Sequence, residues 1–455
     1  MTDVFGRPWT GRRVSVVGLG RSGLAAAQLL CRVGARVRVT EARQTPGLEA
    51  AAQSLRPLGI EAVELGGHNP HFLEPSELVV VSPGVSESAA PIRWAAEQGV
   101  PVISEIELAF HFCPSRIVAV TGTNGKSTAV TLLAQLLTVS HRAAVACGNL
   151  GIPFSSVIDR LTSHTIAVVE VSSFQLLWCH QFRPAIGVLL NIDSNHLDRH
   201  ADANAYVAAK ARLFQRQTPE DWAVLNGRDP RIVTLEEQVQ AQRVWFGENR
   251  TNPPALRLAE ETRRALTEGA QAILQVARLL QIPDPLAWQV IRSFRGLEHR
   301  LEHVATIRGI RFVNDSKSTT PGSLLFALAQ IAGEAVVILG GRDKGLDFHP
   351  LVEPLRQPRI KGMILIGEAR QRLRALLNGS SASVDMQLLT NGRRRSHAAH
   401  PVIQEGRTLD DAVRLAMELA GAGTTVLFSP ACASFDMFRD FEERGRAFKA
   451  IVRAL

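Results

Sequence analysis

The sequence predicts an α/β protein of three domains, and three observations predict it. Short β-branched runs alternate with helical patterns along the chain, two glycine-rich turns each follow such a run directly, and the pattern breaks twice. The runs fall at 14–17, 37–40, 78–81, 117–120, 166–169, 185–190, 335–339, 362–366 and 424–428. Strands that alternate with helices build parallel sheets, because a parallel connection must cross over and a helix covers the crossover. The first break lies near Phe112-Cys113-Pro114-Ser115, where a helical stretch ends and a strand opens into a glycine-rich turn. The second lies near 295–300, ahead of a strand at 310–313, so the pieces are 1–114, 115–297 and 298–455. A chain of 455 residues is too long for one ordinary core, since domains commonly hold about 100–200 residues. Residues 378–406 read as a long polar insertion.

Composition narrows the class. An apolar share of 45% with 21% charged residues is the balance of a soluble globular chain and excludes general disorder. Cys31, Cys113, Cys147, Cys179 and Cys432 form no C-x-x-C pair, which argues against a disulfide framework or a zinc site and for a reducing compartment. No run reaches the ~18 apolar residues a membrane span needs. Asp3, Gly6, Pro8, Arg12 and Arg13 interrupt a signal-peptide reading, so the expected location is cytoplasmic. The net charge of +8 favours anionic partners. Its one tight cluster, Arg393-Arg394-Arg395, reads as a solvated loop, and a single tyrosine with no RNA-binding signature argues against nucleic acid.

The run at 14–17 leads into Gly18-Leu19-Gly20-Arg21-Ser22-Gly23, and Glu41 ends the next run near the spacing of a ribose-binding acid. Glycines there let the backbone approach a diphosphate at a helix N-terminus. The motif fits a dinucleotide, another diphosphate ligand or a structural tight turn, and no hydride-transfer site follows it. The run at 117–120 leads into Thr121-Gly122-Thr123-Asn124-Gly125-Lys126-Ser127-Thr128 and a helix with apolar face Val130, Leu133, Ala134 and Leu137. Backbone amides of such a loop wrap phosphate oxygens, Lys126 reaches the β- and γ-phosphates, and Ser127 holds Mg²⁺. The loop is a shortened variant of the usual phosphate-binding spacing. Glu170, at the end of the run 166–169, stands where such folds present a Mg²⁺ carboxylate. His196 follows the run 185–190 on the same rim, and Lys210 by itself reads as a solvated helix lysine.

Eleven motifs in order carry a resemblance to the Mur ligase family over nearly the whole chain. They include GLGRSG at 18–23, VSPG at 81–84, TGTNGKST at 121–128, CGNLGIP at 147–153, EVSSFQL at 170–176, NHLDR at 195–199 and AAK at 208–210. The others are GLEHRLE at 296–302, NDSKST at 314–319, GGRDKGLDF at 340–348 and SPACASFDMFRDFEERG at 429–445. The resemblance implies a Rossmann-like N-terminal domain that binds the UDP of a substrate rather than NAD, a P-loop central ATPase domain with a parallel sheet, and a Rossmann-like C-terminal domain. It implies an ATP-dependent ligase that joins D-glutamate to UDP-N-acetylmuramoyl-L-alanine through an acyl phosphate, in peptidoglycan precursor synthesis.

Carried over by motif, Gly20, Arg21, Ser22, Glu41, Arg43 and Ser82 line the UDP-sugar site, and Asn149 touches substrate nearer the reaction centre. Gly122, Thr123, Asn124, Gly125, Lys126, Ser127 and Thr128 hold ATP, together with Arg300, Asp315 and Lys317. Two Mg²⁺ ions are expected, one on Ser127 and Glu170, the other on His196 and a carbamylated Lys210. Thr319, Lys344, Ser434 and Phe441 are expected at the amino acid. The chain departs from the family where an H-N-x-x-N stretch would give adenine an asparagine; here it reads Arg263-Arg264-Ala265-Leu266-Thr267-Glu268-Gly269. Asn195 also stands before His196 where an acid is common.

Overall fold

The computed structural model describes residues 6–192, 202–248, 250, 252–253, 256–258, 266–294, 296–379 and 401–455. Two compact units divide the chain, Met1–Phe294 and Arg295–Leu455.

The first unit carries two parallel sheets. One contains β1 (Arg13–Val17), β2 (Arg36–Glu41), β3 (Ala62–Leu65), β4 (Leu78–Val81) and β5 (Val102–Ser104). Their order is β3-β2-β1-β4-β5, with every pair parallel. Strand order therefore reverses between β1 and β4, and the crevice beyond the carboxyl ends of strands at such a point is where α/β sheets bind ligands. The first glycine loop leaves β1 at that place.

The second sheet contains β6 (Arg116–Thr121), β7 (Ala144–Gly148), β8 (Ile166–Glu170), β9 (Ile186–Leu189), β10 (Trp222–Asn226) and β11 (Gln242–Phe246). Its order is β11-β10-β9-β6-β8-β7, again all parallel. Val118, Val120, Val168 and Val188 bury one face under the helix Lys126–Val139, through Val130, Leu133 and Leu137 as expected and also Leu132 and Leu136. Ala119, Val169 and Leu189 bury the other face among Phe154, Tyr206 and Phe214. Burial on both faces explains why these strands read as apolar runs and not as alternation.

Two carboxylates on one short helix join these sheets. Ser104 caps the helix Glu105–Phe110 by accepting from the Glu107 N–H at 3.2 Å. Glu105 accepts from the Ser155 N–H at 2.6 Å, and Glu107 accepts from the N–H groups of Gln181 at 2.8 Å and Phe182 at 2.9 Å. Burial pushes the Glu105 pKa up to about 7, against the partial relief of the Ser155 hydrogen bond.

The second unit holds β12 (Glu302–Ile307), β13 (Ile310–Asn314), β14 (Ala335–Gly340), β15 (Ile360–Ile366), β16 (Val402–Glu405) and β17 (Thr425–Phe428). The order is β12-β13-β17-β14-β15-β16, with β12 antiparallel to β13 and the rest parallel. The stretch read as a polar insertion thus ends in an edge strand, β16, paired with β15. Its four residues are exposed or half-buried, as at an edge, where one side of the strand has no neighbour to bury it.

Candidate functional site

The first glycine loop is held from below by two side chains. Gly18 has φ +92°, and its carbonyl accepts from the Ser82 hydroxyl at 3.1 Å. Glu41 is buried and accepts from the Leu19 N–H at 2.9 Å and the Arg43 N–H at 3.1 Å. Burial alone would raise the Glu41 pKa; the Leu19 and Arg43 bonds outweigh it and hold the pKa below the ordinary value. The acid expected at a ligand hydroxyl thus shapes the loop itself. Gly20 is the N-cap of the helix Arg21–Arg32 and, as a glycine, adds no side-chain cap, so a helix N-terminus with its positive dipole end lies at this loop. Arg21 and Arg43 are exposed and Ser22 is half-buried on this rim. The Arg21 guanidinium reaches Gly151, 3.3 Å from where a Cβ would stand. The loop after β7 therefore shares an edge with the first glycine loop.

The second glycine loop joins β6 to the helix Lys126–Val139, with Gly125 as N-cap at φ +80°. Asn191, just past β9, clamps it: its side-chain oxygen accepts from the Thr123 N–H at 3.1 Å and the Asn124 N–H at 2.8 Å, and its amide donates to the Asn124 carbonyl at 3.2 Å. Sequence reading gave Asn191 no role; its signal is an asparagine at a strand end on the phosphate rim. Thr128 follows on the first turn of that helix. Lys126 folds its ammonium onto the carbonyls of Gly122 at 2.9 Å and Thr123 at 2.8 Å.

Lys210 lies on the helix Ala203–Ala211 and is 1% exposed, against the solvated lysine its sequence context suggested. Its ammonium donates to the Gly122 carbonyl at 2.9 Å and sits over the Tyr206 ring at 4.5 Å. Burial, and then the charge of Lys126, lower its pKa well below the ordinary lysine value. Burial therefore favours its neutral form.

Glu170 ends β8 opposite Val120 of β6 and is 2% exposed. The Asn149 amide donates to one carboxylate oxygen at 2.9 Å, and the other oxygen is buried without a hydrogen-bond partner. An orphaned carboxylate oxygen at the end of the strand beside β6 is a fit for a divalent cation, and Ser127, in the first turn of the helix that follows the loop, is buried. Gly148, at φ +90°, passes so close to Glu170 that a Cβ would overlap the Glu170 carbonyl. His196 lies outside the described residues, as do residues 263–265 of the adenine segment. Thr267, Glu268 and Gly269 of that segment form the cap and first turn of the helix Glu268–Leu279.

In the second unit Asp315, Lys317, Thr319, Lys344 and Ser434 gather on loops after β13, β14 and β17, which are neighbours in the sheet, whereas Arg300 precedes β12. Asp315 is buried and accepts from the Leu301 N–H at 3.1 Å and the Ser429 hydroxyl at 2.7 Å. Burial raises its pKa to about 6, with Ser429, Leu301 and the charge of Arg300 opposing. Asp315 therefore ties three segments of this unit together. The Lys317 ammonium lies 5.8 Å from the centre of the Phe441 ring, and Lys344 is exposed 5.6 Å from that of Phe435. Thr319 is half-buried, Ser434 is buried, and Phe441 is the first residue of the helix Phe441–Arg453.

Parallel sheets with a lysine-bearing phosphate loop and an orphaned acid one strand away define a nucleoside-triphosphate-binding α/β protein. Three family models match in order: the Mur ligase MurD-like N-terminal domain over 12–104, the Mur ligase middle domain over 120–276 and the Mur ligase glutamate ligase domain over 299–432. The chain belongs to the Mur ligase family. It is 36% identical to a UDP-N-acetylmuramoylalanine-D-glutamate ligase of Desulfosudis oleivorans, over 98% of this chain and 96% of that protein. Proteins of the same name from Geotalea daltonii and Chlorobium limicola are 37% and 38% identical, each covered to 98% on both sides. Among solved structures, MurF of Thermotoga maritima in complex with ADP shares the fold, with a TM-score of 0.54, 16% identity, and coverage of 98% and 99%. MurF of Acinetobacter baumannii does so with a TM-score of 0.56, 16% identity and 91% of each chain.

Proposed function

We propose that this chain is the ATP-dependent ligase that joins D-glutamate to UDP-N-acetylmuramoyl-L-alanine in peptidoglycan precursor synthesis. The observation that carries this reading is the phosphate loop whose Gly122 carbonyl receives both Lys126 and Lys210, set beside the unpartnered oxygen of Glu170. Family membership and the names of the full-length relatives support the choice of substrates.

A carboxylate is a poor electrophile, so an amine cannot displace its oxygen directly. A carboxylate oxygen of UDP-N-acetylmuramoyl-L-alanine attacks the γ-phosphorus of ATP, so that a new O–P bond makes an acyl phosphate as the bridging P–O bond breaks and ADP leaves. The amine of D-glutamate then attacks the acyl carbon, loses a proton, and expels inorganic phosphate as the amide forms. Lys126, freed from its carbonyls, neutralises the transferring phosphoryl, and Asn191, by holding the Thr123 and Asn124 N–H groups, fixes the shape of the phosphate loop. Gly20, Arg21, Ser22 and Ser82 hold the UDP end and Asn149 the end near the reaction. Arg300, Asp315 and Lys317 serve ATP, while Thr319, Lys344, Ser434 and Phe441 receive the dicarboxylate.

Mg²⁺ would be held by Ser127 and Glu170, and a second ion by His196 and a carbamate on Lys210; bound there it supplies charge neutralisation of the phosphates. A lysine amine takes up CO₂ to give a carbamate and a proton only when unprotonated, which the burial of Lys210 favours. Among the described residues no helix is long and apolar enough to cross a membrane. We place the reaction in the cytoplasm, where ATP is supplied. Phosphate release with UDP-N-acetylmuramoyl-L-alanine and ATP, with and without D-glutamate, tests the function: release must depend on all three, and D-glutamate-independent release or none at all overturns it.

A further inference from the structure

Arg444, on the helix Phe441–Arg453, is 1% exposed and, among the described residues, makes no ion pair with a carboxylate. A buried guanidinium with no carboxylate at ion-pair distance, and only the more remote charge of Asp436 to offset its desolvation, is expensive. Stability of the fold therefore gives a weak reason for an arginine at this place, and its hydrogen bonds give a stronger one.

The planar guanidinium spans two loops. Its Nε donates to the Ser316 hydroxyl at 3.0 Å and one Nη to the Ser316 carbonyl at 2.8 Å, while the other Nη donates to the Cys432 carbonyl at 3.0 Å. The Ser316 hydroxyl in turn donates to the Phe441 carbonyl at 2.8 Å, so the first loop is tied to the start of the same helix. The third loop makes room for the fork: Gly341 sits with φ +144°, where a Cβ would stand 3.2 Å from an Arg444 nitrogen. Charge-assisted bonds from a rigid fork fix both distance and angle between what they join. Ser316 adjoins Lys317 and lies three residues before Thr319, and Cys432 lies two before Ser434. Burial lowers the Arg444 pKa to about 10, which still leaves it charged at neutral pH.

We propose that Arg444 is a positioning residue for the amino-acid substrate: touching no ligand itself, it sets the spacing between the Lys317–Thr319 loop and the Ser434 loop, and through it the capture of the dicarboxylate. The inference rests on the D-glutamate ligase reading of this chain. Arg444→Met and Arg444→Lys, made in the full chain, separate positioning from bulk stability. Methionine restores apolar volume without the fork; lysine keeps the charge but offers one nitrogen where two loops must be spanned.

The expected result is a KM for D-glutamate raised at least about tenfold in both variants, with the KM for UDP-N-acetylmuramoyl-L-alanine within about twofold of the parent, and thermal midpoints close to it. Methylguanidinium added to Arg444→Ala restores part of the D-glutamate affinity. A D-glutamate KM unchanged in Arg444→Lys overturns the proposal, and so does an activity loss that follows the thermal midpoint with every KM unchanged. A parent protein that releases no phosphate in response to D-glutamate refutes the ligase reading instead, which keeps the two failures distinct.

Discussion

Lys126 and Lys210 donate to one acceptor, the carbonyl oxygen of Gly122, each at 2.9 Å. A carbonyl has two lone pairs and can accept both, but two ammonium charges that close repel, and only Lys126 has a loop open to phosphate beside it. The cost falls on Lys210, which is buried and whose pKa drops. The pair is thus unequal, with burial lowering the pKa of Lys210.

Lys210→Ala is expected to lose most ligase activity while UDP-substrate binding persists. Acetate or formate added at millimolar levels restores part of the rate by occupying the vacated carboxylate position. In the parent, ¹³C-bicarbonate gives a carbamate carbon signal that the variant lacks. Full activity of Lys210→Ala in bicarbonate-depleted buffer refutes the carbamate.

Lys126→Ala should lower kcat by about 10²–10³, the cost of one missing donor at a developing charge. Its far-UV spectrum and UDP-substrate binding should match the parent, and a near-parental kcat would remove Lys126 from the phosphate site.

Asn191→Ala strips the side-chain acceptor from Asn124 and leaves Thr123 with the Asn191 backbone carbonyl alone. An orphaned N–H costs about 1–3 kcal/mol, so the KM for ATP should rise roughly tenfold while that for D-glutamate holds. Equal changes in both would mean that Asn191 does not act through the phosphate loop.

The segment at 263–269 lacks the family's asparagines, and Glu268 is drawn instead to the Asn226 amide at 2.8 Å. Weak discrimination between ATP and other purine triphosphates follows. Competition of ATP against GTP and ITP decides it: a preference above roughly 10³ shows that other residues read the base, since hydrogen-bonding sites reach about 10⁴–10⁵.

Glu105 gives a pH dependence of stability. Its folded pKa of about 7 stands above the ordinary 4.5, so its contribution is present in full below pH 4.5 and is lost as pH rises through about 7. Glu105→Gln keeps an acceptor for the Ser155 N–H without the charge. Thermal melts should show the variant more stable than the parent at pH 8 but not at pH 4, and parallel pH profiles would count against an ionisable Glu105.

The central strands and both glycine loops were legible because strands buried on two faces write continuous apolar runs and phosphate loops need fixed residues. The strands β3, β5, β7, β10, β11, β12 and β16 escaped notice: all are short, and all but β10 lie at a sheet edge, where burial writes no continuous apolar run, while β10 is buried yet too brief to stand out. Lys210 shows a different limit. Nothing local distinguishes AAK from a solvated helix face, since its burial comes from the Gly122 carbonyl 88 residues earlier. Arg444 and Asn191 act through backbone groups of loops remote in sequence, and such acceptors leave no mark on composition or spacing.

Gly148 limits how this site can drift. Every missense change of a glycine codon adds a Cβ, and at 148 any Cβ meets the Glu170 carbonyl and forces the two strands apart. The Glu170 carboxylate, one oxygen of which is buried without a hydrogen-bond partner, would move with its strand. An inhibitor that rests against the backbone of 148 and 149 therefore touches a wall that the gene cannot reshape by one mutational step without loss of the acid beside it, and escape from such a compound has to begin elsewhere.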